Sequence, residues 1–479
     1  MKKITYKIYT LGCKVNQYDS ESLSRKLISA GFVVAENNAD LAIVNTCTVT
    51  HSAIAKDKKM IERAKTDNPN AKIVVVGCMP VNYKKEVEEL GVDYIFGTKD
   101  ADKLIEEIQN SKFKIEKVGS EELNSCENSN NLYKTGKSRY FLKIQDGCQQ
   151  FCSYCIIPYN RGKLTSRPVE EVLAEVKKIV EAGFKEIILC GIHLGLYGVD
   201  LFSQAPLTKG RRGDSRSGDL KGGESGNSGM QIPPTPFVKG GVNLVGLLKE
   251  LIKIEGLEKI RLSSIEVTEV NDELIELIKT NRKICRHLHI PLQSGCDKIL
   301  KLMNRPYTTE FFAERIEKLR TAVPEIAITN DVIVGFPGET EEDFNITFDF
   351  IKKINFSKLH VFPFSAHEKT PAFSMPDQLP TSIKKQRAKI LSEYSLELEE
   401  KYKQQFVGQE LEVIVDGRSQ GKVHSGQPQE SIDSFRGQPR ESKALFRGKT
   451  EYYFDIEFNS DKKLKAGDLV KVKDWKFLE

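Results

Sequence analysis

Residues 146–155 read DGCQQFCSYC, which places Cys148, Cys152 and Cys155 at the spacing C-x3-C-x2-C. The group directly follows a predicted strand at 139–144. A four-iron cluster normally takes four cysteine ligands, so three thiolates leave one iron open to a substrate or a cofactor. The spacing and the position after a strand therefore predict an iron–sulfur site.

Two other interpretations fit the same three cysteines. A zinc ion with a distant fourth ligand, such as His193, would use thiolates in a similar way. Small residues also cluster by chance in protein cores. The sequence favours the iron–sulfur interpretation because the spacing is specific. Four further cysteines belong to no motif and are predicted to be structural: Cys126, Cys190, Cys285 and Cys296.

The strand before the motif is the first of six in an α/β series. Helical stretches at 169–182, 244–254 and 309–321 lie between these strands. Six such units predict a partial (β/α)6 barrel of the TIM type, in which chemistry takes place at the carboxyl ends of the strands. We expect this central domain to span 137–375, with a low-complexity insertion at 203–241. The predicted strands are 139–144, 186–189, 259–262, 287–290, 327–334 and 358–362.

The N-terminal region, 1–112, also alternates strands with helices, which predicts a doubly wound parallel sheet. Cys13, Cys47 and Cys78 each follow one of its first three strands. The carboxyl ends of such strands line one crevice, so we expect the three thiols to converge there. Taken singly, each of them also fits an ordinary buried cysteine. The predicted strands are 4–9, 41–44, 72–76 and 94–96, and the predicted helices are 20–30, 53–64 and 84–90.

The rest of the chain reads as a linker and a small β domain. Residues 113–136 are polar and lack a period, as expected of a linker. Residues 404–479 contain short β-rich runs with glycines near their ends, which predicts a small antiparallel β-barrel. An 11-residue tandem repeat at 427–448 is interpreted as an insertion into this barrel. The β-rich runs are 411–415, 452–458 and 469–472.

Size and composition set the broad class. A chain of 479 residues suits three domains at roughly 100 to 200 residues each. Its ten cysteines, without a signal peptide or a long apolar run, predict a cytoplasmic protein that is not in a membrane. A net charge of +5 is compatible with a nucleic-acid partner but decides nothing by itself.

The motifs together resemble the methylthiotransferase branch of the radical S-adenosylmethionine enzymes. The resemblance extends over all three domains apart from the two insertions. It rests on the sequences around both cysteine groups, on three barrel-strand motifs and on two C-terminal segments. These are LGCKVNQYDSE at 11–21, NTC at 45–47, VGCM at 76–79, GCQQFCSYCIIPYNRG at 147–162, HIPLQSG at 289–295, DVIVGFPGET at 331–340, HVFPFS at 360–365, GKTEY at 448–452 and AGDLVKV at 466–472.

The resemblance implies two [4Fe-4S] clusters and S-adenosylmethionine as cofactors. One cluster binds Cys148, Cys152 and Cys155, and its open iron chelates S-adenosylmethionine. An auxiliary cluster lies on the other three cysteines, and Tyr154 packs against the adenine of the cofactor, unless it only fills the core. The C-terminal domain corresponds to a TRAM domain, which binds RNA. A monomer with an electron donor such as flavodoxin or ferredoxin is expected.

The motifs LGCKVNQYDSE and GCQQFCSYCIIPYNRG resemble those of the branch that acts on tRNA. That branch replaces the C2 hydrogen of N6-threonylcarbamoyladenosine at position 37, in the anticodon loop, with a methylthio group, using two S-adenosylmethionine molecules. Sister branches act on isopentenyl-adenosine in tRNA or on an aspartate of a ribosomal protein. A hypothesis of a different class is a non-catalytic RNA-binding protein that holds zinc at its cysteines.

Further polar residues lie where the cofactor is expected. The third barrel strand ends in RLSSIE, and its polar residues, with a glutamine of the next motif, are candidates for ribose or carboxylate contacts. These candidates are Ser263, Ser264, Glu266 and Gln293.

Other predicted contacts concern the substrate. Asn16 and Asp19 follow the first cysteine and are candidates for supporting the auxiliary cluster or the nucleotide, although a helix N-cap role fits Asp19 or Ser20 equally well. Arg161 is a candidate for binding an RNA phosphate or the threonylcarbamoyl carboxylate, or for forming a surface ion pair. The chain departs from the family at His367 and Lys369, where an arginine and a glycine are expected, so a contact at that loop is in doubt.

Overall fold

A computed structural model describes residues 4–49, 51–110, 133, 136–201, 242–419 and 444–478. Most of the predicted linker, the insertion at 203–241 and the repeat up to residue 443 lie outside these ranges. Within them, no helix combines the length and the apolar character that a membrane span requires.

The N-terminal sheet contains β1 (Thr5–Thr10), β2 (Val33–Val34), β3 (Leu41–Thr46), β4 (Lys72–Gly77) and β5 (Tyr94–Ile95). All pairs are parallel, in the order β2-β1-β3-β4-β5. The order reverses between β1 and β3, and such a switch point opens a crevice at the carboxyl ends of the strands. The accompanying helices are α1 (Lys14–Ser29), α2 (His51–Asp67), α3 (Met79–Asn82), α4 (Lys84–Glu89) and α5 (Ala101–Asn110).

Helix α1 differs from its predicted bounds. It begins at Lys14, directly after Cys13, whereas the sequence pattern predicted a start at residue 20. Its first turns bury Asn16 together with Val15 and Tyr18. The buried polar side chain of Asn16 interrupts the helical repeat of apolar residues. The sequence pattern therefore did not predict the first turns of α1.

Six parallel strands form the central barrel: β6 (Tyr140–Lys143), β9 (Glu186–Cys190), β10 (Lys259–Leu262), β11 (His287–His289), β12 (Ala327–Val334) and β13 (Lys358–Pro363). They form two sheets, β10-β9-β6 and β11-β12-β13. Single bridges, Ile260 with Ile284 and Ser264 with His289, join the two sheets. The predicted open six-stranded barrel is therefore confirmed. A short hairpin, β7 (Gln145–Asp146) and β8 (Thr165–Ser166), holds the ends of the C-x3-C-x2-C segment.

Eight helices accompany the barrel strands in the described ranges. They are α6 (Ile157–Arg161), α7 (Val169–Glu181), α8 (Leu244–Leu251), α9 (Asp272–Thr280), α10 (Asp297–Leu302), α11 (Thr309–Ala322), α12 (Glu341–Ile354) and α13 (Thr381–Gln404). Helix α13 lies beyond residue 375, where the barrel was predicted to end. It still packs on the barrel, because Leu391 and Leu398 join its core and Ser395 Oγ donates to Leu359 O at 3.0 Å.

The C-terminal sheet contains β14 (Leu411–Arg418), β15 (Ala444–Thr450), β16 (Asp455–Ser460), β17 (Leu469–Val472) and β18 (Trp475–Phe477). It is antiparallel in the order β17-β14-β15-β16-β18, as the small β-barrel prediction requires. Residues 444–448 of the predicted insertion belong to β15, so that part of the prediction is wrong. Phe446 explains this, since its side chain is buried in the core of the sheet.

A buried arginine fastens this sheet to the barrel. Arg261, on β10, is 1% exposed, and its Nε donates to Glu186 Oε1 at 2.8 Å. Its other nitrogens donate to the carbonyl oxygens of Glu451 and Thr450, each at 3.0 Å, in the turn after β15. One side chain thus satisfies a buried carboxylate and two backbone groups of the other domain.

We expect Arg261→Met to lower the free energy of unfolding by about 3–5 kcal/mol, because Glu186 becomes a buried charge without a partner. Denaturation in urea measures this change. The matched control is the double variant with Glu186→Met, which should recover part of the loss because no charge is then left alone. A single variant as stable as the parent protein contradicts the role of this contact.

Candidate functional site

Cys13, Cys47 and Cys78 lie together at the crevice of the N-terminal sheet, after β1, β3 and β4. A Cβ added to Gly12, whose φ is +98°, would lie 2.9 Å from Cys47 Sγ, so only glycine allows the first loop to approach the second so closely. Cys13 is exposed, whereas the other two thiols are buried. The structure brings the three thiols together as expected. Their role as cluster ligands stays a prediction.

Burial disfavours the deprotonated, thiolate form of two of these cysteines when no metal is bound. It raises the pKa of Cys47 to about 11 and that of Cys78 to about 12. The guanidinium of Arg161 opposes both shifts and hydrogen-bonds to Cys78, without cancelling the effect of burial. Iron binds thiolates, so a cluster on these thiols would release protons as it assembles.

Asn16 ties the cysteine loops to each other. Its Nδ2 donates to Leu11 O at 2.9 Å and to Thr46 O at 2.8 Å, which joins the ends of β1 and β3. Asn45 Nδ2 donates in turn to the backbone oxygen of Asn16 at 3.0 Å. Asn16 is 1% exposed, so the structure gives it a positioning role among the cysteines.

The second group, Cys148, Cys152 and Cys155, lies at the carboxyl end of the barrel, beyond the hairpin of β7 and β8. Cys148 N donates to Gly162 O at 3.1 Å, and Cys155 N donates to Cys152 O at 3.0 Å. Burial raises the pKa of Cys155 to about 12, and the nearby charges of the other two thiols add to the shift. The three thiols therefore share one site.

Gly147 controls where this segment starts. Its φ is +72°, and an added Cβ would lie 2.1 Å from the backbone oxygen of Lys163. We expect Gly147→Ala to displace Cys148 and to halve the iron bound after anaerobic reconstitution. Gly162→Ala is the matched control, since its φ of +70° is also positive but its Cβ would meet nothing within 4 Å. Equal iron in the two variants contradicts this prediction.

Two residues that the sequence analysis did not select support the cysteines directly. Arg305 Nη1 donates to Cys152 Sγ at 3.3 Å, and its Nη2 donates to Glu266. At the other site, both carboxylate oxygens of Asp57 accept from the backbone N–H of Cys47, at 3.0 and 3.2 Å. Arg305 follows the motif by about 150 residues and belongs to no recognised pattern. No local signal in the sequence identifies either residue.

The predicted cofactor contacts lie around this second site. Ser263 Oγ is buried and has no hydrogen-bond partner in the described part of the chain, as expected where a ligand completes a polar site. Gln293 has a φ of +67°, a conformation that costs a non-glycine residue free energy and that is found most often at functional sites. Ser264 is exposed. Tyr154 packs among apolar side chains that include Phe336, which fits core filling and leaves the predicted adenine contact untested.

His193, the zinc ligand of the alternative hypothesis, lies close to Cys148. Its Nδ1 is 3.5 Å from Cys148 Sγ, while its Nε2 is bound to Glu269 Oε1 at 2.5 Å. Among the described residues, however, no three His, Cys, Asp or Glu side chains are close enough to hold a single metal ion.

Arg161 connects the two cysteine sites. Its Nη1 lies 3.0 Å from Asp146 Oδ2, beside the barrel motif, and its Nη2 lies 3.2 Å from Asp19 Oδ2, on α1. Nη2 also donates to Asn16, and the guanidinium reaches Cys78. Arg161 is 3% exposed, so its ion pairs are buried and not on the surface, as one alternative had them.

The two departures from the family motif also join the domains. His367 Nε2 lies 2.9 Å from Val49 O, and Lys369 Nζ donates to Asn82 Oδ1 at 2.7 Å. Both partners belong to the N-terminal region. The loop after β13 therefore contacts that region through residues other than the expected arginine and glycine.

Comparison with known proteins agrees with this geometry. Residues 142–351 match the model of the Radical SAM superfamily, and residues 5–97 match that of the Uncharacterized protein family UPF0004. The chain is 37% identical to the "Threonylcarbamoyladenosine tRNA methylthiotransferase MtaB" of Bacillus subtilis, with 98% of this chain and 93% of the relative covered. The chain belongs to the radical S-adenosylmethionine methylthiotransferase family. It is therefore a transferase that uses two [4Fe-4S] clusters and S-adenosylmethionine, as the sequence predicted.

One further relative and one solved structure are also similar to this methylthiotransferase. A relative in Acetivibrio thermocellus, the "tRNA-2-methylthio-N(6)-dimethylallyladenosine synthase", is 34% identical, with 89% of this chain and 84% of the relative covered. The solved structure of the radical S-adenosylmethionine methyltransferase TsrM from Kitasatospora setae is similar in fold, with a TM-score of 0.52 at 15% identity. That match covers 78% of this chain and 77% of TsrM.

Proposed function

We propose that this methylthiotransferase replaces the C2 hydrogen of N6-threonylcarbamoyladenosine at position 37 of tRNA with a methylthio group. The observation that carries the proposal is the buried Arg161 contact between the two cysteine sites, which holds them next to each other. The substrate is taken from relatives named for it at 35–37% identity, in Bacillus subtilis, Thermotoga maritima, Chlamydia pneumoniae and Aquifex aeolicus.

The six cysteines are proposed as the ligands of the two clusters. When bound, the clusters and two S-adenosylmethionine molecules supply the radical that removes the C2 hydrogen, the sulfur, and the methyl group that caps it. Arg305 fixes Glu266 beside Cys152, and the free hydroxyl of Ser263 is suited to a polar group of the cofactor. Arg161 keeps the N-terminal site against the barrel mouth.

The anticodon loop is the part of tRNA that we expect to enter between the two sites. Enzymes that act on a base take it out of the stack and hold it against aromatic or apolar side chains. Phe151 and Tyr159, which are 49% and 40% exposed, form an edge-to-face pair in the barrel motif and provide such a surface. A cleft at the junction with the C-terminal sheet is also lined by cationic side chains, and the one that we expect to contact a phosphate is Arg447, because Lys137, Arg139 and Lys449 are paired with Glu21, Asp416 and Asp455. We also expect a monomer and an external electron donor such as flavodoxin or ferredoxin.

Mass spectrometry of tRNA nucleosides tests the substrate. A strain without this gene should lose 2-methylthio-N6-threonylcarbamoyladenosine and regain it from a plasmid copy. Unchanged levels of that nucleoside reject the proposal. Loss of methylthiolated isopentenyl-adenosine in its place assigns the chain to the other tRNA branch, and loss of methylthiolation on a ribosomal protein assigns it to the third.

A further inference from the structure

One wall of the barrel interior carries a row of polar side chains on consecutive strands. His289 on β11, Asp331 on β12 and His360 on β13 lie on the strand face opposite to the residues that pack against the helices, because side chains alternate along a strand. The outward residues in the hydrophobic core are Leu288, Ile290, Val332 and Leu359.

The row is held by internal hydrogen bonds. His289 Nδ1 lies 2.9 Å from Thr329 Oγ1, and His289 Nε2 lies 3.2 Å from Asp331 Oδ2. The rings of His289 and His360 are 5.6 Å apart. Two residues along β13, Phe362 is 43% exposed and continues the same face with an aromatic ring. This wall therefore offers both hydrogen-bonding groups and a stacking surface.

Lys14 brings a positive charge to this wall from the N-terminal region. Its Nζ lies 5.7 Å from the centre of the Tyr453 ring, which in turn stacks on His287 at 4.1 Å. Burial is the main cause of the lowered pKa of His287 and of His360, and the Lys14 charge contributes to both. The ammonium is therefore inside the barrel, near β11 and β13.

The Lys14 ammonium has no anionic partner there. Within the described residues, the ammonium forms no ion pair and no hydrogen bond, although Lys14 directly follows Cys13 in the sequence. Its neighbours differ in this respect. Lys143 is paired with Asp19 and Asp146, and Arg161 is paired with the same two carboxylates. A half-buried cation without a counter-ion is suited to an anionic ligand.

The shape of the substrate indicates which of its groups would reach this wall. In adenine, C2 and C6, the carbon that carries N6, are separated only by N1, so the N6 substituent projects obliquely to the C2–H bond. With C2 directed at the cysteine sites, the N6 substituent can therefore extend along the barrel wall beside them, on the side of Lys14. In N6-threonylcarbamoyladenosine that substituent ends in a carboxylate.

We propose that Lys14, with the His289 and His360 rings beside it, binds the carboxylate of the N6 substituent and so selects the anionic nucleoside. This inference rests on the proposed function and adds the site of substrate selection to it. Arg161, the carboxylate ligand considered from the sequence, is already occupied by Asp19 and Asp146. Lys14 is thus a specificity-determining residue located one position after a cluster ligand.

Binding of short RNA hairpins to the reconstituted full-length protein tests this inference. Three anticodon hairpins are compared by fluorescence anisotropy: one with N6-threonylcarbamoyladenosine, one with the same group as its uncharged carboxamide, and one with isopentenyl-adenosine. We expect Lys14→Met to weaken binding of the first hairpin by about 10- to 100-fold, the range of a hydrogen bond to a charged group. Binding of the other two should change by less than about threefold.

Controls separate this effect from damage to the cluster. Lys26→Met is the matched variant, because Lys26 is on the same helix but pairs with Asp102 on the surface. Both variants should keep the iron content of the parent protein. If Lys14→Met weakens all three hairpins equally, or none, the carboxylate site is wrong. If the parent protein does not prefer the first hairpin to the isopentenyl one, the proposed function fails first.

Discussion

Replacing Cys148, Cys152 and Cys155 together by alanine is expected to abolish 5′-deoxyadenosine formation completely. Their loss removes the site at which we propose that S-adenosylmethionine is cleaved, while the N-terminal cysteines remain. Iron content after anaerobic reconstitution should fall from about eight to about four atoms per chain, since each cluster holds four. Chromatography of the quenched reaction measures the nucleoside, and chemical analysis measures the iron.

A matched control uses two cysteines outside both groups. Cys285 and Cys296 are buried free thiols, and their replacement by alanine should leave both the iron content and the reaction intact. If the triple variant still forms 5′-deoxyadenosine, the barrel site is assigned to the wrong residues. If it keeps all eight irons, these cysteines are not ligands.

The complementary variant, with Cys13, Cys47 and Cys78 replaced by alanine, is expected to separate the two halves of the reaction. S-adenosylmethionine cleavage should continue, because the barrel cysteines and Arg305 are untouched, but no methylthio product should form. The expected loss of product is complete, whereas 5′-deoxyadenosine should stay within about threefold of the parent value. Mass spectrometry of the tRNA nucleosides and iron analysis measure both results in one reaction.

This second variant has a specific structural risk. Arg161 contacts both sites, so removal of the Cys78 thiol changes the surroundings of the Arg161 guanidinium. Asp19 and Asp146 still hold the guanidinium in place. Cys78→Ser keeps a polar atom at the same position and controls for this change. Methylthio product from the triple variant contradicts the assignment of the sulfur-delivering site.

Much of the fold was predictable because it follows local patterns. The parallel strands of both α/β regions are short apolar runs, and both cysteine groups lie after the ends of strands. The bounds that failed are those where the pattern is broken by contacts distant in sequence. Helix α1 starts early because Asn16 is buried among the cysteine loops, and β15 takes its place in the sheet because Phe446 fills the C-terminal core.

The sequence predicted the six cysteines that we propose as metal ligands, but not the residues that support them. Thiolates are few and their spacing is a strong signal, so the cysteine groups could be read directly. Arg305 and Asp57 are common residue types in unremarkable surroundings. Arg305 and Asp57 support the cysteines because folding brings them within 3.3 Å of a cysteine atom. Arg161 was selected as a surface or substrate contact, and the structure places it in a buried network.

The sequence by itself determined the chemistry of this protein: two groups of three cysteines, the motifs around them and the α/β order that carries them. Only the tertiary structure decided how the two groups are joined and which cation stays free for a substrate. The physical reason is that the neighbours of a charged side chain decide whether its charge is neutralised within the protein or can bind a ligand. Arg161 and Lys14 are both cations near a cysteine in the sequence, yet Arg161 is neutralised by two carboxylates, whereas no carboxylate in the described part of the chain pairs with Lys14.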